Sequence, residues 1–193
     1  MIPTVACSAA QNAIPIIESS IGKPRGILTA EKKAKLDLFM SLYGRFDGSA
    51  LDEVYNAKNK LDNVKSFLNK YAGGLSTNGF RIDFFCDDSK WEFVKYKDGE
   101  YSSSEATFLH ELSHATAFFG KDGILEDVED DDGEETYQFD PCYELAQSDR
   151  KITDIAKIRP LKNADTFVYF CAGLYLSQCN WRDGLCQNPA NVK

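Results

Sequence analysis

Residues 107–114 read Thr107-Phe108-Leu109-His110-Glu111-Leu112-Ser113-His114, and His110 and His114 are the two histidines of the chain. Phe108, Leu109, Leu112 and Ala115 recur at helical spacing around them, which predicts a helix from near Ser102–Ser104 to about Phe119. Positions i and i+4 of a helix project from one face, so both imidazoles can grip the same ion, and the order H-E-x-x-H is that of a zinc site. Glu111, one step round the helix, can take a proton from a water that the ion activates. Two histidines scattered at random would stand four apart ahead of a glutamate roughly once in a thousand arrangements. The spacing therefore favours one zinc per chain over an ordinary amphipathic helix.

The remaining composition limits the third ligand. A third histidine, as in H-E-x-x-H-x-x-G-x-x-H, is impossible because none is left. Cysteine is a poor donor once oxidised. The third ligand must be a carboxylate, either an aspartate soon after the helix or a glutamate on a later one, for which Glu144 is available.

Outward from this segment, the 193 residues fit a single domain. N-terminal helices are expected within residues 1–75. Leu36, Phe39, Met40 and Tyr43 mark one over residues 30–45, with Thr29 as its N-cap. Leu51, Val54, Leu61, Val64, Phe67, Leu68 and Tyr71 mark a longer one from about Ser49, stopped by Gly73-Gly74. The pattern then changes. Phe80–Cys86 and Trp91–Tyr96 are aromatic and β-branched around Asp87-Asp88-Ser89-Lys90, which predicts an antiparallel hairpin over residues 79–101. Residues 102–178 carry the zinc-site helices and an acidic loop at 122–135. Asp140-Pro141 is expected to open one helix as N-cap and first residue, and Ala164 to about Gln178 forms the last. Residues 179–193 read as a tail. The expected fold is α+β: a helix-rich, zincin-like domain with a small sheet.

Thirty acidic against 22 basic residues give a net charge of −8. Such a surface repels phosphate backbones and anionic lipid, so nucleic acid and membrane are not expected partners. Six cysteines, Cys7, Cys86, Cys142, Cys171, Cys179 and Cys186, are widely spread without a C-x-x-C pair. That pattern predicts three disulfides and an oxidising, extracellular setting. Cys171 and Cys179 lie too far apart on one helix to pair with each other. The opening Met1-Ile2-Pro3-Thr4 has neither the basic nor the apolar region of a signal peptide, so the chain is read as a mature secreted segment with an added Met1.

The combination resembles a family, the deuterolysin-like or aspzincin metalloendopeptidases of fungi. The resemblance rests on Thr107–His114, on the acidic loop ending in Tyr137, and on Asn163-Ala164-Asp165-Thr166-Phe167-Val168-Tyr169-Phe170, which looks like the N-A-D-x-[YF]-x-x-[FY] stretch opening the family's closing helix. It spans about residues 102–178. It implies that His110 and His114 are zinc ligands and Glu111 the general base. The family's third ligand is the aspartate of G-T-x-x-D-x-x-Y-G. Gly123-Ile124-Leu125-Glu126-Asp127 matches its first half, with Ile124 for threonine, which implies Asp127. Three residues later this chain has Asp130 in place of the family's tyrosine. Tyr137, followed by Gln138 in place of glycine, is the nearest phenol and by resemblance stabilises the oxyanion. A second register makes Glu134 the ligand, and Asp131 and Asp132 are within reach. Asp165 either caps the last helix or faces the substrate pocket. Lysine-selective members carry a second acid where this chain has Val168, so strict lysine preference is not implied. Cys7 and Cys86 resemble the family's N-terminal bridge in separation.

The expected activity is that of a secreted, monomeric zinc endopeptidase acting on protein or peptide substrates, basic ones being favoured by the acidic loop. The alternative expectation is a secreted effector or binding protein on the same scaffold, with weak or lost proteolysis.

Overall fold

A helix that is apolar almost all the way round must be enclosed by others. Residues 164–175 are of this kind: Ala164, Phe167, Val168, Phe170, Cys171, Gly173 and Leu174 are buried along one twelve-residue helix. In the computed structural model, which describes residues 2–46, 50–77, 104–115 and 124–175, this helix is the centre of the fold. In chain order the helices are α1 (Ile2–Glu18), α2 (Ala30–Tyr43), α3 (Leu51–Thr77), α4 (Ser104–Ser113), α5 (Phe139–Ser148) and α6 (Ala164–Tyr175). Helix α6 packs against α1, α2, α4 and α5, and α1 reaches α2, α3 and α4 as well. Three single-turn 3-10 helices, Asp149–Lys151, Ile155–Lys157 and Arg159–Leu161, join α5 to α6. Among the described residues no helix is long and apolar enough to cross a membrane.

The expected α+β class is corrected. The described residues contain no strand; their extended pairing is limited to two isolated bridges, Glu126 with Asn163 and Glu129 with Glu135. The apolar stripes bury one another helix on helix, so no sheet is needed to cover them. The expected hairpin at 79–101 lies outside the described residues. Helix α3 also runs through Gly73-Gly74 to Thr77, since a glycine weakens a helix without obliging it to end. Helix α1, for which the sequence offered no cap, buries Ala6, Cys7, Ala10, Ala13, Ile14 and Ile17, a 3–4 spacing that tolerates Pro15 inside it. Thr29 caps α2 by accepting from the Lys32 N–H at 3.3 Å. The N-cap of α5 is Gln138, at φ 73°, which moves Asp140 and Pro141 into the first turn.

Aromatic rings meet one another inside the core. Tyr43 meets Phe39 and Phe170 at 5.4 Å each between centroids, and Phe39 meets Phe170 at 6.3 Å. Phe67 stands edge-on to Phe167 at 4.5 Å. Such pairs add about 0.5–1.5 kcal/mol each beyond burial. Cys7, Cys142 and Cys171 are buried thiols, and no disulfide forms among the described residues; Cys86, Cys179 and Cys186 lie outside them.

Two charges are buried, one in the turn after α5 and one against the end of α2. Asp149, 2% exposed, accepts from the Arg159 backbone N–H at 2.8 Å and from Arg159 Nη2 at 2.7 Å. The same guanidinium reaches Asp131 at 2.9 Å and so ties the acidic loop to the helices. Removing one partner of such a pair costs about 3–5 kcal/mol. The other charge is Lys60, 3% exposed, whose amine donates to the Tyr43 carbonyl at 2.6 Å, at the C-terminus of α2. Burial pulls its pKa down to about 8, against the pull of Asp149. In the unfolded chain a lysine releases its proton near 10.4. Between those values the unfolded state holds more protons, so stability rises with pH. Below about pH 8 the desolvation penalty is fully present. Wild type should therefore gain up to about 3 kcal/mol relative to Lys60→Met between pH 7 and pH 10.5, read by urea denaturation of both proteins. A gap that does not change with pH would contradict this.

Candidate metal centre

Helix α4 holds its register by burying Leu109 and Leu112, with Phe108 and Ala115 packed at the edge of the core. Its end is tight. Ser113 Oγ donates back to the His110 carbonyl at 2.7 Å, and His114 and Ala115 donate three residues back, to Glu111 and Leu112. His114 thus lies one residue beyond the regular helix (Ser104–Ser113), well short of the expected end at Phe119; residues 116–123 lie outside those described. The i, i+4 relation survives, with the imidazole rings 4.7 Å apart at 80°.

The segment after the gap is laid against this helix by its backbone. Leu125 N–H donates to the Ser113 carbonyl at 3.0 Å, Glu126 N–H to the Lys162 carbonyl at 2.7 Å, and Ala164 N–H to the Glu126 carbonyl at 2.9 Å. Asp127, the next residue, then faces both histidines. Its Oδ1 is 3.2 Å from His110 Nε2 and 3.3 Å from His114 Nε2, and the two Nε2 atoms are 3.1 Å apart.

The other ring nitrogens decide the tautomers. His114 Nδ1 faces the Leu125 carbonyl at 2.9 Å. A carbonyl only accepts, so this nitrogen carries the proton. His110 Nδ1 faces Asp165 Oδ1 at 2.7 Å, and the other oxygen of that carboxylate accepts from the Gln138 N–H at 2.7 Å. In the neutral form both rings are therefore protonated at Nδ1, and both bare Nε2 lone pairs then point at each other and at a carboxylate oxygen. Three acceptors converge with no donor among them, an arrangement that calls for a cation. His110 answers in the same direction: the Asp165 hydrogen bond above all, opposed by burial and helped by the charges of Asp165, Asp127 and Glu111, raises its pKa. The spacing suits a first-row metal. Bonds of about 2.0–2.1 Å in tetrahedral geometry put ligand atoms about 3.3 Å apart, against 3.1–3.3 Å here. Among the described residues this is the one His/Cys/Asp/Glu group so arranged.

No protein-family model, curated protein or solved structure matches the chain.

The other expected site residues divide. Glu111 is exposed at the rim of the centre, close enough for its charge to act on His110. Tyr137 is 39% exposed, with its ring 5.8 Å from that of His110. Loss of water, then the nearby Glu135 and Asp127 carboxylates, push its phenol up to about 12, so it stays a donor. Asp165 sits in the first turn of α6, under His110. The structure does not bring Glu134, Asp131, Asp132 or Glu144 into the centre. Asp130 N–H donates to the Glu134 carbonyl at 2.9 Å, and Asp130 Oδ1 accepts from the N–H groups of Asp132 and Glu134 at 2.8 and 3.0 Å; this turn carries both acids past the histidines. Asp131 is taken by Arg159 and by Ser148, 3.0 Å away. The Leu125 carbonyl and the Gln138 N–H had no sequence signal, because both are backbone groups. The buried Asn163 did have one in N-A-D: its amide donates to the Thr136 carbonyl and to Thr166 Oγ1, at 3.1 Å each.

Asp127→Ala should abolish tight zinc binding, whereas Glu134→Ala should leave it unchanged. Asp165→Asn, which sets an amide donor against either the His110 or the Gln138 N–H, should weaken it about 10–100-fold with the fold intact. Competition against a colorimetric chelator reads all three. Zinc kept by Asp127→Ala and lost from Glu134→Ala would transfer the ligand to the second register.

Proposed function

We propose that the chain is a zinc-dependent endopeptidase of the aspzincin type, holding one zinc on His110, His114 and Asp127. The observation that carries this reading is the convergence of three acceptor atoms at 3.1–3.3 Å beside an exposed carboxylate and a protonated phenol. When bound there, zinc supplies Lewis acidity, polarising a carbonyl and lowering the pKa of water towards about 7.

The protein's own groups supply the rest. Glu111 accepts the proton of the attacking water and delivers it to the leaving amine. Tyr137 donates its O–H to the oxyanion as the carbonyl carbon becomes tetrahedral. Asp165 and the Leu125 carbonyl keep both imidazoles in the Nδ1–H tautomer, with Nε2 free to bind. The acidic residues from Glu126 to Glu135 give the neighbourhood a negative field that favours basic peptides. The extracellular setting read from the cysteines belongs to the same proposal.

A second reading, a binding or effector protein with weak proteolysis on this scaffold, has one observation in its favour. The charges of Glu135 and Asp127 act on the Tyr137 phenol and help to hold its proton, which makes it a weaker donor to substrate.

Glu111→Gln should keep zinc and melting temperature and lower casein cleavage by about 10²-fold or more. Tyr137→Phe should lower kcat by about 10²-fold with KM little changed. Full cleavage by Glu111→Gln would remove the base from the mechanism. An unchanged kcat in Tyr137→Phe would mean that the phenol plays no part.

A further inference from the structure

Away from the metal centre, and sharing no residue with it, a cavity of 520 Å³ opens between the C-terminus of α2, the first half of α3 and the turn after α5. Its volume falls within the roughly 300–1,000 Å³ of small-molecule sites. Four cations, Arg45, Lys60, Arg150 and Lys151, line it against two carboxylates, Asp52 and Glu53, in a chain whose net charge is −8. Arg45 lies over the Tyr143 ring at 5.5 Å. Among the described residues Arg150 and Lys151, both exposed, enter no ion pair.

Two buried polar groups in the wall have bonding capacity left over. Lys60 spends one N–H on the Tyr43 carbonyl, and an ammonium has three. Asn56, 9% exposed, donates its amide to the Ile152 carbonyl at 3.1 Å. That bond fixes the orientation of the amide, and its Oδ1 is left without a partner. A buried acceptor left so is unfavourable, because it has given up water without gaining a donor. The space before the amine depends on Gly44. At φ +99°, a Cβ on this residue would stand 3.0 Å from Lys60 Nζ and 3.2 Å from the Arg150 Cα. A side chain there would be strained and would crowd the amine.

We propose that this cavity binds a small organic phosphate or carboxylate bearing a hydroxyl, its anionic group on Lys60, Arg150 and Lys151 and its hydroxyl donating to Asn56 Oδ1. Neither end suffices alone. An anion without a hydroxyl leaves Asn56 unpaired, and a neutral polyol leaves the cations unmatched. The amine is charged at neutral pH and, with its pKa near 8, is available as a nucleophile slightly above it.

Pyridoxal 5′-phosphate is a suitable probe for the full chain, since it carries a phosphate, a phenolic hydroxyl and an aldehyde. The lysine amine adds to the aldehyde with loss of water, borohydride reduces the imine to a stable secondary amine, and peptide mapping locates the label. At pH 8 Lys60 should label about tenfold faster than the exposed Lys58, Lys65 and Lys70. Glycerol 3-phosphate should suppress that labelling at lower concentration than methyl phosphate, which lacks the free hydroxyl. The exposed pair Arg150→Ala with Lys151→Ala should slow labelling of Lys60 about tenfold and leave the other lysines unchanged. Lys60 labelling no faster than the exposed lysines would overturn the proposal. So would fast labelling indifferent to both phosphates and to the double variant, and equal suppression by the two phosphates would remove the hydroxyl from it.

Discussion

The centre depends on one short piece of backbone pairing. Glu126 exchanges hydrogen bonds with Lys162 and Ala164, at 2.7 and 2.9 Å, and so lies alongside the residues that open α6. Everything polar at the site follows from that contact. It presents the Leu125 carbonyl to His114 and swings Asp127 over both Nε2 atoms. It also leaves Asp165, one residue after Ala164, below His110. The segment has little regular structure of its own and takes its position from α4 on one side and α6 on the other. Arg159 supports it further along by bridging Asp149 and Asp131. A metal site built from a helix and a loop needs such anchoring, since a ligand displaced by one ångström is not a ligand.

The helices were the legible part. Apolar residues at 3–4 spacing marked α2, α3, α4 and α6, and Thr29 marked the start of α2, because these signals are local. Their ends were less legible. Gly73-Gly74 does not stop α3, since glycine weakens a helix without ending it, and Asp140-Pro141 lies inside α5. Helix α1 escaped notice for want of a cap. The expected α+β class rested on aromatic and β-branched runs between residues 80 and 96, which lie outside the described residues. Within the described residues the apolar stripes cover one another helix on helix, and no strand forms.

At the site, H-E-x-x-H could be read directly because His110, Glu111 and His114 are close neighbours in one local pattern. The third member of the cluster could not. Asp127, Asp131, Asp132 and Glu134 are all acids in one loop, and spacing alone does not choose among them. What separates them is the Asp130 turn and the Arg159 pair, both of which depend on residues distant in sequence. The tautomers were equally out of reach, since one is set by a backbone carbonyl. Lys60 shows the same limit from the other direction: a lysine on an amphipathic helix reads as solvent-exposed, and only the fold brings it against the end of α2.

The claim that most needs testing is that a metal satisfies the three converging acceptors and that the centre so formed cleaves peptide bonds. The most direct measurement is elemental analysis of the dialysed chain, run beside casein cleavage with and without a chelator. The account predicts about one zinc per chain and cleavage that stops with chelator and returns with zinc. A chain that takes up no zinc even when it is added back would contradict the account at its root, and cleavage indifferent to chelator would contradict the mechanism.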